Sequence, residues 1–203
     1  MKSYTTILFD MGNVLIDFDP KTIVAHFVQD PLDRQLLEHA IFHGKEWASL
    51  DLGTMSDEEA IVSINRKLPE SYHQRVQIIV KTWPITNVYR PEMIPLVQAL
   101  KEKGLRLVLA SNASIRFYDY AQDIHALAWF DGIQISAEIH QAKPDPAFYV
   151  SLLNRFELDP QSCLMIDDRI DNIAGASQVG IDGIVYNQDL SRLMSRLIEL
   201  GVL

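Results

Sequence analysis

The sequence predicts an α/β fold, a doubly wound parallel sheet with an all-helical insert after its first strand. Three observations predict it. Short apolar runs alternate with segments of helical period. Three of those runs stop abruptly at a polar cluster, as buried parallel strands do where they reach a cleft. One long stretch near the N-terminus holds several helical patterns and no convincing strand.

Thr6-Ile7-Leu8-Phe9 reads as the first strand, stopped by Asp10. Leu105 to Ala110 reads as a second, stopped by Ser111-Asn112. Cys163 to Ile166 is a third, stopped by Asp167-Asp168. Gly132 to Ile135 and Gly183 to Tyr186 are weaker strands. Between them, Pro91 to Lys103 is apolar at Met93, Ile94, Leu96, Val97 and Leu100, with Gly104 as its stop. Asp145-Pro146 supplies an N-cap and first residue for a helix running to about Phe156. Leu190, Leu193, Met194, Leu197 and Ile198 mark an amphipathic packing helix at the C-terminal end. From about Asp19 to Tyr89 the pattern is helical only: Asp19-Pro20 opens one helix, and Ser56-Asp57-Glu58-Glu59 is a capping box that opens another. The expected division is a core of residues 1–18 and 90–203 and a helical domain of residues 19–89. Leaving the sheet at the first strand's polar tip, the insert should lie over the carboxyl ends of the strands, where such folds bind ligands.

The composition narrows the partners. At 203 residues, 48% hydrophobic and 22% charged, the chain has enough apolar material for one domain with a smaller insert. Its net charge of −9 repels phosphate backbones and anionic lipid, which argues against a nucleic-acid or membrane partner. A small anionic substrate is still admissible, because a site needs only local positive charge or a metal. Cys163 is the single cysteine and sits in an apolar run, so no intrachain disulfide forms and a reducing, cytoplasmic setting is expected. No apolar run approaches a signal-peptide core or a membrane span. A monomer or a homodimer is expected.

The strand tips carry the chemistry. Adjacent parallel strands deliver their carboxyl ends to one crevice, so Asp10, Ser111, Asp167 and Asp168 should converge. Three carboxylates in one cleft repel one another unless a cation neutralises them, and all-oxygen ligation suits Mg²⁺. Lys143, in Gln141-Ala142-Lys143-Pro144, adds positive charge for an anionic substrate. Ser111-Asn112 offers a hydroxyl, an amide and backbone N–H groups to phosphate oxygens.

Taken together, Phe9-Asp10-Met11-Gly12-Asn13-Val14-Leu15, Ala110-Ser111-Asn112, Lys143-Pro144 and Ile166-Asp167-Asp168 with Asp171-Asn172 and Gly175-Ala176 resemble the haloacid dehalogenase superfamily. All four of its motifs occur in order, reaching from near the N-terminus to about Gly180. The resemblance implies a Rossmann-like core, a small helical cap closing over the site, and a Mg²⁺-dependent phosphatase of small phosphorylated metabolites. By that resemblance, Asp10 is the nucleophile that becomes an aspartyl phosphate. Ser111, Asn112, Gly12 and Asn13 contact the substrate, and Lys143 neutralises the phosphoryl group. Asp10, the Gly12 carbonyl and Asp168 hold the metal, with Asp167 as a further ligand or a support and Asn172 in a supporting role.

One position departs from the family pattern. Most of its phosphatases carry a second Asp two residues after the nucleophile, as the acid for the leaving oxygen; here that residue is Gly12. The Asp-x-Gly-Asn-Val pattern is similar to a subgroup that includes glucose-1-phosphate phosphatases, which implies sugar phosphates, hexose 1-phosphates included. Asp17, Asp19, His43 and Glu46 are the nearest candidates by sequence for the missing acid. A 2-haloacid dehalogenase, which needs no metal, and a weakly catalytic sensor of phosphorylated ligands are the alternatives. His26, His39, His43, His73, His125 and His140 have no metal-ligand spacing, so a structural role is expected for most of them, with a substrate-facing role for His43 and Trp47 in the cap as the alternative.

Overall fold

The computed structural model describes residues 3–203; Met1 and Lys2, the start of the expected core segment, lie outside the described residues. The chain runs through β1 (Thr6–Phe9), β2 (Ile16–Asp17), α1 (Pro20–Phe27), α2 (Pro31–Phe42), α3 (Lys45–Asp51), α4 (Asp57–Asn65), α5 (His73–Thr82) and β3 (Val88–Tyr89). It continues through α6 (Ile94–Glu102), β4 (Arg106–Ser111), α7 (Phe117–Tyr120), β5 (Gly132–Ile135), α8 (Ser136–Ile139), α9 (Pro146–Phe156), β6 (Cys163–Asp167), α10 (Ile170–Gln178), β7 (Asp182–Val185) and α11 (Leu190–Glu199).

Local chemistry sets the helix starts. Asp19, Asp30 and Asp145 each accept hydrogen bonds from backbone N–H groups of the first turn, and a proline follows each of them. The capping box at Ser56 and Glu59 is complete in both directions.

Five parallel strands form the sheet in the order β5-β4-β1-β6-β7, as the alternation of strands and helices predicts. β1 lies at the centre. Phe9 is level with Leu109 of β4 and with Ile166 of β6, so the residues that end these three strands emerge side by side. The side chains alternate between two cores. Ile7, Phe9, Leu107, Leu109, Leu164 and Ile166 belong to one, shared with α6 and α11. Leu8, Val108, Ala110 and Met165 belong to the other, under Phe148, Tyr149 and Leu152 of α9. Buried on both faces, the strands need no polar positions until their tips.

The structure departs from expectation in three places. The stretch expected to be wholly helical ends in β3, which pairs antiparallel with β2; two residues are too few to show a period of two. The helix expected from Pro91 opens as a 3₁₀ turn and becomes α-helical only at Ile94. On α11, Leu193 and Leu197 are buried, but Met194 and Ile198 are 41% and 59% exposed, so the packing stripe is narrower than the apolar pattern.

Candidate active site

β1 ends at Asp10, whose backbone N–H still pairs with the sheet at Ile166 O, 2.9 Å away. The chain then doubles back. Met11 O accepts from the N–H groups of Leu15 at 2.8 Å and Ile16 at 3.1 Å. Asn13 sits in this turn with φ 55°, a left-handed conformation that Asn tolerates better than most residues. Its side chain is engaged at both ends: Nδ2 donates to Asp168 Oδ2 at 2.9 Å, and Oδ1 accepts from Phe18 N at 3.1 Å. Asn13, expected to contact substrate, lines the cavity and also ties the β1 loop to the β6 loop.

Lys143 is buried between two acids, with Nζ 2.8 Å from Asp10 Oδ1 and 2.7 Å from Asp167 Oδ2. The Asn112 side chain holds the lysine's backbone, accepting from Lys143 N and donating to Lys143 O, both at 2.8 Å. That leaves one N–H of the Asn112 amide without a partner in this pair of bonds. Asp167 is fully engaged as well. Oδ1 accepts from Arg169 N and Asn172 Nδ2, and Oδ2 accepts from Lys143 Nζ and Asn172 Nδ2. A carboxylate offers about four lone-pair sites, and all four are taken. Among the two expectations for Asp167, support of Lys143 fits these contacts. Gly175 of α10 allows the close packing of the Lys143-Pro144 segment, since a Cβ there would lie 2.1 Å from Pro144 O.

Carboxylate oxygens of Asp10, Asp167 and Asp168 lie within 4.8 Å of one another. Three acids against one buried ammonium leave excess negative charge. Burial, aided by Asp167, pushes Asp10 up to about 7 against the pull of Lys143. Burial also raises Asp168, opposed by its bond from Asn13. Burial would lower Lys143, but Asp10 and Asp167 outweigh it and hold the ammonium charged. This donor set suits a hard divalent cation.

Asp10, Lys143 and Asp168 form the floor of a cavity of about 350 Å³. Ser111 and Asn112 line one side. Phe18, Phe42, Trp47, Trp83 and Tyr120 form an aromatic wall, with ring centroids 4.4 Å apart for Phe42–Trp47, 5.5 Å for Phe18–Trp83 and 5.6 Å for Trp83–Tyr120. His43 and Trp47 both reach this cavity.

The model of the haloacid dehalogenase-like hydrolases matches residues 4–180, most of the chain and every residue of this cluster. The chain belongs to that family. Over 198 residues this haloacid dehalogenase-like hydrolase is 24% identical to the sesquiterpene phosphatase astK of Aspergillus oryzae, covering 95% of this chain and 94% of that one. Over 196 residues it is 25% identical to flavin mononucleotide hydrolase 1 of Arabidopsis thaliana, covering 97% and 77%. A HAD family enzyme of Bacteroides thetaiotaomicron, solved with magnesium and inorganic phosphate, shares the fold with a TM-score of 0.74 at 20% identity, over 94% of this chain and 99% of that one. Among the described residues, no helix of this hydrolase is long and apolar enough to cross a membrane.

Asp10, Gly12, Asn13, Ser111, Asn112, Lys143 and Asp168 all line the hydrolase's cavity, while Asp167 stands behind Lys143. All four residues suggested for the role absent at Gly12 have partners elsewhere; His43 Nε2 lies 3.1 Å from Glu38 Oε1. Asp17 pairs with Arg90, Asp19 caps α1, and Glu46 is bound by Lys67 and Ser63. Sequence reasoning missed Asp51, which lines the cavity from the last residue of α3. One signal was available: an acid in a helix's last turn opposes the macrodipole and calls for a reason.

Proposed function

We propose that the protein is a Mg²⁺-dependent phosphatase of small phosphorylated metabolites that works through an aspartyl phosphate on Asp10. The observation that carries this reading is the Lys143 ammonium, 2.8 Å from Asp10, beside Asp168 on the floor of one cavity. A carboxylate against a buried ammonium suits attack on an anionic phosphorus, because the cation offsets charge on both partners. The names of the fungal and plant relatives, a phosphatase and a hydrolase of a phosphate ester, support it.

In this reading Asp10 attacks phosphorus, and the bond from phosphorus to the ester oxygen breaks. Water then attacks the phosphoryl group, and the bond to Asp10 breaks. Ser111 and the Asn112 backbone hold phosphoryl oxygens, and Lys143, fixed by Asp167 and Asn112, balances their charge. Asp10, Asp168 and the Gly12 carbonyl are the residues that would hold Mg²⁺, with Asn13 orienting Asp168. When bound, the ion supplies charge neutralisation for the phosphoryl group.

We place the cap at residues 19–89, over a core of residues 1–18 and 90–203. Its aromatic rings suit an alcohol with an apolar or ring face. Sugar phosphates, hexose 1-phosphates among them, present such a face from the carbons of the ring.

The test is a phosphate-release screen over hexose, pentose, triose, nucleotide, isoprenyl and acyl phosphates, with Mg²⁺ and with chelator. Release that needs Mg²⁺, and an Asp168→Asn variant that needs far more of it, are the expected results. Halide release from 2-haloacids that ignores chelator would replace this reading with a dehalogenase. No phosphate release across the panel would leave a sensor.

A further inference from the structure

An alkyl phosphate leaves as an alkoxide, a poor leaving group unless a proton reaches its oxygen as the bond breaks. The floor of the cavity holds no obvious donor. Asp10 is the attacking group, Lys143 is held between two acids, and Asp168 accepts from Asn13. The donor has to come from the walls.

We infer that Asp51 is the general acid for the leaving oxygen and the general base for the water that follows. This rests on the phosphatase reading above. Asp51 lines the same cavity as Asp10 and Lys143. Its position is fixed to the core. The Asp51 backbone carbonyl accepts from Ser136 Oγ at 2.5 Å, and that hydroxyl oxygen also accepts from Ala113 N at 2.9 Å. The next carbonyl, Leu52 O, is 2.8 Å from His140 Nδ1. Gly53 then packs so closely on Ala137 that a Cβ would meet Ala137 O at 2.4 Å. The Asp51 carboxyl lies close enough to the backbone N–H of Ser114, three residues beyond Ser111, for that N–H to favour its charged form. The helix end thus holds this acid against the loop that faces the phosphoryl group.

Its environment also suits a proton donor. No basic side chain pairs with Asp51 among the described residues, and burial pushes its carboxyl up to about 8 despite the nearby Ser114 N–H. The phenol of Tyr120, also on the cavity, is raised by burial and in part by Asp51, so it stays neutral and adds no charge there. In the proposed step, Asp10 bonds to phosphorus, the ester P–O bond breaks, and its oxygen takes the Asp51 proton. The Asp51 carboxylate next takes a proton from water as that oxygen bonds to phosphorus. Phosphate leaves as the bond to Asp10 breaks, and Asp51 is again protonated.

The test compares leaving groups. Full-length wild type and Asp51→Asn are assayed with Mg²⁺ on 2,4-dinitrophenyl, 4-nitrophenyl, phenyl and benzyl phosphates. The amide keeps an oxygen for the Ser114 N–H but has no acidic proton. Asp51→Asn should lose about 100-fold or more in kcat on benzyl phosphate and less than about 3-fold on the dinitrophenyl ester, which needs no proton. Equal losses across the series, or no loss on benzyl phosphate, would overturn the role of Asp51 and leave the phosphatase intact. No hydrolysis of any ester by wild type would overturn both. Wild type alone supplies a second reading if the variant fails to fold: rates nearly independent of leaving-group acidity support protonation, and a steep dependence rejects it.

Discussion

Asn112 closes both ends of its amide on the backbone of Lys143, accepting from the N–H and donating to the carbonyl, each at 2.8 Å. A buried lysine with two carboxylate partners needs such a clamp, because the ammonium must stay between Asp10 and Asp167 rather than drift toward either. Asn112→Ala removes two hydrogen bonds worth about 1 kcal/mol each. It should lower stability by about 2 kcal/mol and kcat by about 100-fold, since small misplacements of a catalytic charge are costly. Denaturant melts and steady-state kinetics check both numbers. Asn112→Asp, which keeps the acceptor and loses the donor, should fall between; a variant with wild-type kcat would show that the clamp is not needed.

Asp10→Asn should abolish turnover while the fold survives. The carboxyl is nearly buried and already pushed up to about 7, so a neutral isostere costs the folded state little near neutral pH. Lys143 keeps its Asp167 partner at 2.7 Å. Loss of the nucleophile removes the covalent route, and kcat should fall by about 10⁴-fold or more. Phosphate release, read beside a thermal melt within a few degrees of wild type, separates lost chemistry from lost structure. Activity within a few-fold of wild type would take Asp10 out of the nucleophile role.

Gly175→Ala should disturb the site from behind. The added Cβ would lie 2.1 Å from the Pro144 carbonyl oxygen and 2.9 Å from its carbon, so backbone must move. Overpacking of this kind costs about 1–3 kcal/mol. The segment that yields carries Lys143, so kcat should fall as well as Tm. A crystal structure of the variant should show the Lys143-Pro144 segment displaced from α10; an unmoved segment with full activity would contradict the account.

The sheet and its polar tips were legible because each tip residue follows a run of buried strand, and neighbours in a parallel sheet must end together. Asp10, Asp167 and Asp168 could therefore be grouped without knowing any distance. What each polar group does with its lone pairs could not be read. The sequence offers Asn112 and Asn13 as substrate contacts but does not show that they also hold Lys143 and Asp168. The sequence flags Asp51 only as an acid in a helix's last turn and does not show what it faces. Its approach to Ser114 depends on how α3 docks on α8, a tertiary contact between elements some 85 residues apart. The β2–β3 pair was too short for its period to register.

Glu46 supplies the last prediction, through pH. It is fully buried, and its Oε1 accepts from Ser63 Oγ at 2.7 Å and from Lys67 Nζ at 2.6 Å. Burial would raise its carboxyl, but Lys67 and Ser63 outweigh that and hold it down to about 2, from 4.5. A depressed acid favours the folded state only while ionised. Its contribution is therefore complete above the ordinary carboxylate range and fades as pH falls toward 2. Lys67 is half-exposed, so solvent discounts the pair to about 2 kcal/mol. Glu46→Gln should be less stable than wild type by that amount at pH 7 (about 2 kcal/mol), with the gap narrowing steadily toward pH 2. Urea unfolding of both proteins across that range is the measurement. A gap that does not change with pH would mean that packing, not the charge of Glu46, holds α3 to α4.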